Sequence, residues 1–198
     1  MKTFLTILLF GQVLLAQPAS SQDSTRVLIV YHSEHGHTAA MAEAIANGAR
    51  AVPHVKVKLL KVAEAKNQEV LAADAIILGS PVYNANMAPA LQQFINQWPF
   101  EGSPLRDKIG AAFVTAGGMS AGEELVQMNI LHAMLIFGMI IVGGQDWRSP
   151  FGASAIVNEG PFDTEKQPGK VEAYFLEKGE ALGKRVAETA SRWRKGGK

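Results

Sequence analysis

The feature that most constrains the fold of this chain is a repeated alternation of short apolar runs with longer segments of helical periodicity. The strand-like runs, rich in β-branched and aliphatic residues, cover residues 26–32, 54–62, 74–80, 108–116 and 138–144. The helical patterns cover residues 38–51, 63–73, 86–98, 122–137 and 170–195. Strands that are apolar throughout and alternate with helices form parallel sheets covered on both faces. We therefore predict one α/β domain with a doubly wound, five-stranded sheet.

Two segments refine this prediction. The second run, HVKVKLLKV, alternates apolar residues with lysines, which favours a strand near the edge of the sheet. A long loop rich in glycine and proline is expected between Gln145 and Gly169. In doubly wound sheets the ligand binds in the loops that follow the carboxyl ends of the strands, so those loops are the place to look for function.

The composition excludes several classes of function. A chain of 198 residues, 47% of them hydrophobic, can bury the core of one globular domain. The formal net charge of +1 argues against nucleic acid as the main partner, which usually needs a basic face. Because the chain has no cysteine, it can form no disulfide, thiol nucleophile or thiolate metal site.

The amino-terminal segment has the pattern of a signal peptide. Lys2 precedes an apolar run, Phe4–Leu15, that is too short to span a bilayer comfortably. We predict that residues 1–22 are a signal peptide, cut within Ala16–Asp23, and that residues 23–198 form the domain. The protein would then be periplasmic or secreted, with no stable membrane insertion after cleavage. The alternative is an uncleaved amino-terminal anchor.

The loop after the first strand, HSEHGHT, predicts an anion site. It leads directly into a helix, whose free amino-terminal amides attract negative charge. Ser33 and Thr38 add hydroxyl groups, and Gly36 allows the backbone to fold tightly around a ligand. The spacing is neither a P-loop nor a dinucleotide fingerprint, so a monophosphate fits better than a triphosphate. Two other interpretations remain open: a metal site built from His32, His35 and His37, and simple capping of the helix by Ser33 and Thr38.

Two further loops point to a planar ligand. The stretch GSPVYNANM follows the third strand and places Pro81, Tyr83 and Asn84 at the same edge of the sheet. The glycine-rich stretch TAGGMSAGEE follows the fourth strand, so its amides can approach a flat ligand closely. A phosphate cradle, an aromatic loop and exposed amides together suit a phosphorylated planar cofactor.

With these motifs in place, the chain resembles the flavodoxin-like FMN proteins, and within them the type IV NAD(P)H:quinone oxidoreductases, the family of the tryptophan-repressor-binding protein. The stretches that carry the resemblance are YHSEHGHTAAMAEAIANGA, AIILGSPVYNANM, FGMIIVG and SPFGAS. It implies a sheet with strand order 2-1-3-4-5, FMN as cofactor, NAD(P)H as a candidate electron donor and a quinone-like acceptor. It also implies a homo-oligomer, either a dimer or a tetramer, to which the long apolar helix 125–137 could contribute an interface.

The same resemblance assigns the cofactor-binding residues. Ser33–Thr38 would hold the ribityl phosphate, and Val82–Asn84 and Thr115–Ser120 would line the isoalloxazine. The long loop between Gln145 and Gly169, which contains SPFGAS, would complete the pocket, of the same subunit or of a neighbour in a tetramer. The predicted cofactor-binding residues are Ser33, Glu34, His35, Gly36, His37, Thr38, Pro81, Val82, Tyr83, Asn84, Thr115, Ala116, Gly117, Gly118, Met119 and Ser120. No side chain is predicted to act as a nucleophile, since the flavin carries the chemistry.

The chain also departs from the family pattern. A pair of histidines, one of them expected on the flavin side, is replaced by Ile136 and Phe137, and an aromatic residue of the phosphate loop by His35. An arginine expected beside the isoalloxazine is missing from PVYNAN. Trp98 and Phe100 are expected to pack in the core, with contact at the flavin rim as the alternative.

Three functions are compatible with these features. The first is an FMN-dependent oxidoreductase that passes electrons to a quinone. The second is an exported electron carrier of the flavodoxin type, which the sequence pI near 8.0 disfavours because such carriers usually present acidic docking surfaces. The third is a flavin-free binding protein, because a fold alone does not fix a function.

Overall fold

The computed structural model describes residues 24–196 of the chain. The predicted signal peptide therefore lies outside the described residues. The elements are β1 Thr25–Tyr31, α1 His37–Arg50, β2 Val55–Lys61, α2 Asn67–Ala72, β3 Ala75–Tyr83, β4 Asn86–Met87, α3 Pro89–Asn96, β5 Ile109–Ala116, α4 Glu123–Ile136, β6 Ile140–Ile141, β7 Ala153–Ile156 and α5 Ala173–Gly196.

The sheet has the predicted doubly wound topology. Its strands lie in the order β2-β1-β3-β5-β6, and every neighbouring pair along this path is parallel. This is the order 2-1-3-4-5 of the five main strands, and it confirms the predicted fold class. The lysine-bearing strand β2 is at the edge, as its sequence pattern indicated.

The fifth strand differs from the prediction. The apolar run at residues 138–144 contributes only the two-residue strand β6, which pairs with Ile109 and Gly110 at the start of β5. The chain then leaves the sheet and returns as β7, which pairs with Phe113–Ala116 at the end of β5. The prediction of a continuous loop between Gln145 and Gly169 is therefore wrong at Ala153–Ile156, the four residues of β7, which continue the sheet.

The two faces of the sheet bury two separate apolar layers. Along β1 alternate residues point to opposite faces, so Ile29 packs with helices α1 and α5 while Val30 packs with α3 and α4. Helices α1 and α5 come so close that a side chain on Gly48 would strike the backbone of α5 at Glu180. This close packing fixes the carboxyl half of α1 against α5. None of the helices within residues 24–196 is both long and apolar enough to cross a bilayer.

Candidate cofactor site

A cleft lies where β1, β3 and β5 end side by side. Because these strands are parallel neighbours, their following loops meet at one edge of the sheet. The cleft has a volume of about 310 Å³, the size of a small-molecule site. It is lined by Ser33, Glu34, His35, His37, Thr38, Pro81, Val82, Tyr83, Thr115, Ala116, Gly117, Val157, Asn158 and Glu165.

A second cleft, of about 280 Å³, lies elsewhere in the fold and is not the candidate site. It is a mainly apolar groove between β1, β2 and the short helix α2, with Arg26 and Lys56 at its rim. Arg26 and Lys56 belong to the starts of their strands, so the groove lies towards the opposite edge of the sheet. None of the three predicted strand-end loops contributes to it.

The loop after β1 is built to receive an anion. Gly36, the residue just before helix α1, has a backbone φ of 88°, a left-handed conformation that glycine adopts without strain. The Ser33 hydroxyl accepts hydrogen bonds from the amides of Gly36 (3.1 Å) and Ala39 (3.3 Å). The first backbone bond to Gly36 comes from Ala40, so the amides of His37 and Thr38 precede it and have no helical partner. They are free to bind a phosphate at the positive end of the helix dipole.

One buried contact joins this loop to the centre of the sheet. The hydroxyl oxygens of Thr38 and Thr115 lie 2.7 Å apart, and the two residues are only 2% and 4% exposed. Thr38 belongs to the phosphate loop and Thr115 to the end of β5. Their hydrogen bond therefore couples the phosphate cradle to the wall on which a planar ring would lie.

The three histidines of the loop point to different partners. His32 lies 3.4 Å from the Glu34 carboxylate, while His37 is buried and contacts the carbonyl of Thr164 at 3.3 Å. His35 is exposed, although its carbonyl accepts the Gly169 amide at 2.9 Å. Within residues 24–196 no three histidine or acidic side chains are grouped as a metal site would require. The phosphate interpretation therefore fits this loop better than the metal interpretation.

Tyr83 stands at the mouth of the cleft beside two charged or ionisable groups. The ring of His32 meets that of Tyr83 edge-on, with 6.3 Å between centroids. Burial raises the pKa of the Tyr83 hydroxyl, and the adjacent Glu34 carboxylate raises it further through a hydrogen bond and through its charge. Tyr83 therefore keeps its proton at neutral pH and presents an uncharged aromatic face.

Five of the predicted residues do not line the cleft. Gly36 shapes the loop from behind, and Asn84, with a φ of 50°, forms the turn between β3 and β4. Gly118, Met119 and Ser120 lie outside the lining, and the Met119 amide donates to the Glu159 carboxylate at 2.6 Å. The predicted residues that do line the cleft are Ser33, Glu34, His35, His37, Thr38, Pro81, Val82, Tyr83, Thr115, Ala116 and Gly117.

Three lining residues were not predicted: Val157, Asn158 and Glu165. They come from the segment after β7, where the amide of Asn158 bonds to the Gly117 carbonyl at 2.9 Å. The sequence did carry a signal, because ASAIVNEG is an apolar run followed by polar residues, like the other strand ends. The long loop that was expected to complete the pocket does contribute these three residues, although its stretch SPFGAS, at residues 149–154, does not line this cleft.

Comparison with known proteins identifies the family. The chain is 30% identical over 208 residues to an NAD(P)H dehydrogenase (quinone) of Solidesulfovibrio magneticus, covering 85% of this chain and 98% of that protein. A protein with the same description from Aromatoleum aromaticum is also 30% identical and covered to 96%. The chain belongs to the NAD(P)H dehydrogenase (quinone) family. Residues 64–153 also match the family described as NADPH-dependent FMN reductase.

Solved structures with a similar fold include flavodoxins. A WrbA-like flavodoxin from Agrobacterium tumefaciens superposes with a TM-score of 0.69 at 23% identity, covering 85% of this chain and 99% of that one. A flavodoxin from the domain Archaea gives a TM-score of 0.63 at 28% identity, covering 84% and 99%. The flavodoxin-like fold is thereby established for this member of the quinone dehydrogenase family.

The cleft of this family member fits FMN. The free amides of the phosphate loop suit a phosphate, and a side chain on Gly36 would lie 2.9 Å from the Gly169 α-carbon, so the cradle has no room for one. Val82, Tyr83 and Val157 offer apolar surface for a planar ring, and Thr115 and Asn158 offer polar groups for its edge. Ser33–Thr38 would therefore hold the phosphate, and the other strand ends would hold the isoalloxazine.

The replaced histidine pair lies away from this cleft. Ile136 and Phe137 end helix α4 just before β6, which pairs with the first residues of β5. They are therefore at the opposite edge of the sheet from the cleft, next to Phe100. Trp98 is buried in the core as expected, whereas Phe100 is 62% exposed, and neither lines the cleft. Within one subunit the loss of these histidines leaves the candidate site intact.

Proposed function

We propose that this protein is an FMN-dependent oxidoreductase that transfers electrons from NAD(P)H to a quinone-like acceptor. The proposal rests on one observation: a single cleft combines an anion site at the start of α1 with walls formed by the ends of β3 and β5, between which a planar ring would lie. The relationship to proteins described as NAD(P)H dehydrogenase (quinone) supports the donor and the acceptor.

The reaction balances without a protein nucleophile. NAD(P)H loses a hydride, and the quinone takes up two electrons and two protons to become a hydroquinone, the second proton coming from solvent. FMN, when bound, carries the electrons between them. The protein binds and orients the flavin: the amides of His37 and Thr38 would hold its phosphate, and the neutral Tyr83 would supply an aromatic wall.

A direct test compares FMN with riboflavin, which has the same ring but no phosphate. Charge-assisted bonds to the loop amides should make FMN bind at least about tenfold more tightly in a titration of apoprotein. The loaded protein should then oxidise NADH or NADPH in the presence of a benzoquinone. Equal affinities for FMN and riboflavin would remove the loop from the site, and a flavin that quinones do not reoxidise would exclude the reductase.

One similarity keeps an electron carrier as the second candidate. A flavodoxin of Aquifex aeolicus is 32% identical over 127 residues, covering 62% of this chain and 66% of that protein. A carrier should accumulate a stable one-electron radical during anaerobic titration with dithionite, whereas a two-electron reductase should pass through it with little accumulation. The long-wavelength absorption of the radical distinguishes the two.

We also propose that the protein is exported and that residues 1–22 are removed. Lys2 and the apolar run Phe4–Leu15 support this proposal. An exported enzyme would not meet the cytosolic pool of NAD(P)H, so the natural donor depends on where the mature protein is found.

A homo-oligomer, dimer or tetramer, is the state we propose in solution. Apolar side chains stand exposed near the end of α4, with Ile136 at 69% and Leu135 at 52% exposure, and Phe100 lies beside them. Exposed apolar patches of this kind commonly mark subunit interfaces. Sedimentation of the mature protein would measure the state, and a monomer at high concentration would contradict it.

A further inference from the structure

The candidate cleft is lined by two carboxylates. Glu34, within the phosphate loop, and Glu165, far along the chain, both line the cleft. None of the described residues that line it is lysine or arginine. Apart from these carboxylates, the ionisable side chains there are His35, His37 and Tyr83.

Neither carboxylate is neutralised by a neighbouring lysine or arginine. Glu34 has a side chain 58% exposed, and its partners are His32 and Tyr83. Glu165 forms no ion pair within residues 24–196, although the exposed Lys166 is the next residue in the chain. A third carboxylate, Glu159, lies against Gly118 just outside the lining.

The charge follows from where the residues lie in the fold. Glu34 comes from the β1 loop, while Glu165 is brought back by the segment after β7. Bound FMN would add the charge of its phosphate at the same edge of the sheet. In a cleft that is lined by charges of one sign and bounded by apolar groups, the electrostatic field acts strongly on a charged molecule that enters.

We propose that this cleft selects uncharged quinones and rejects anionic ones, and that Glu34 and Glu165 are the specificity-determining residues. The inference rests on the proposed quinone reductase function and names the class of acceptor. A sulfonated or carboxylated quinone would bring its negative group towards two carboxylates that no lysine or arginine of the described lining offsets, whereas a neutral quinone of the same shape would bring no charge towards them.

The test isolates the oxidative half-reaction, so the charge of the nicotinamide donor does not enter. FMN-loaded protein is reduced photochemically without oxygen and mixed with 1,4-naphthoquinone or its 2-sulfonate. The rate at which each quinone reoxidises the protein is divided by the rate at which the same quinone reoxidises free reduced riboflavin. This division corrects for the different reduction potentials of the two quinones. At low salt and about pH 8, the corrected rate for the sulfonate should be about tenfold lower.

Salt and charge-neutral variants give independent readouts. Since the effect is electrostatic, about 0.5 M salt should remove most of the difference. Glu34→Gln and Glu165→Gln should each raise the ratio of the sulfonate rate to the neutral rate. The matched control is Glu101→Gln, which removes the same charge from an exposed position between α3 and β5 and should leave the ratio unchanged. The visible spectrum of bound flavin reports whether each variant is correctly folded.

The outcomes are distinct. A wild-type ratio equal to that of free riboflavin, or a ratio that salt does not change, would overturn the inference while leaving the reductase function intact. If Glu101→Gln changes the ratio of the sulfonate rate to the neutral rate as much as the two cleft variants do, the effect comes from the total charge of the protein, and the inference is also overturned. A reduced flavin that neither quinone reoxidises would overturn the proposed function and the inference together.

Discussion

At the scale of single residues, the hydrogen-bonded pair Thr38 and Thr115 lines the candidate site and should also contribute to the stability of the fold. Both hydroxyls are buried and lie 2.7 Å apart, so removing one leaves the other without its partner. Thr38→Val should lower the free energy of unfolding by about 1–3 kcal/mol, because an unsatisfied buried hydroxyl remains. The double variant Thr38→Val with Thr115→Val should recover most of that loss. Urea denaturation of the apoproteins gives the free energies of unfolding of the wild type, the two single variants and the double variant. If the losses in the single variants simply add in the double variant, the two hydroxyls do not interact.

At the scale of elements, the phosphate loop depends on a close approach of two segments. Gly36 has a φ of 88°, and a β-carbon there would lie 2.9 Å from the Gly169 α-carbon. Gly36→Ala should therefore destabilise the fold and weaken FMN binding, through backbone strain of about 1–2 kcal/mol and through displacement of the segment after β7. Gly102→Ala is the matched control, since Gly102 has a φ of 75° but nothing within 4 Å of its added carbon. Equal effects of the two variants on melting temperature and FMN affinity would exclude a role for the Gly169 contact.

The elements also show what sequence can predict. Apolar runs ending in polar loops placed Ser33, Tyr83 and Thr115 at one edge of the sheet, because a parallel sheet brings strand ends together whatever their separation in sequence. Strand β7 was missed because a run of four residues inside a glycine- and proline-rich region lacks a clear period. Glu165 was missed with it, since its place in the cleft depends on the path of the chain after β7. The acidic character of the cleft was therefore invisible until the fold was known.

At the scale of the whole molecule, the first described residues are tied to the last helix. The Arg194 guanidinium donates to the Ser24 carbonyl, and the hydroxyls of Ser191 and Thr25 lie 3.1 Å apart. Thr25 also donates its amide to the His54 carbonyl at 2.9 Å. These contacts tie Ser24 and Thr25 to the last helix and to the turn before β2.

A protein shortened to begin at Asp23 should therefore melt at the temperature of the full chain and bind FMN equally well. One shortened to begin at Val27 loses Thr25 and Arg26, including the 2.9 Å bond to His54 and the 2.7 Å bond from the Arg26 amide to Asp74. Its free energy of unfolding should fall by about 2–4 kcal/mol. We expect the native protein to begin between Gln17 and Ser24 and to lie outside the cytoplasm. Mass spectrometry of the protein from its host reads that terminus directly, and an intact Met1 on soluble cytosolic protein would contradict export.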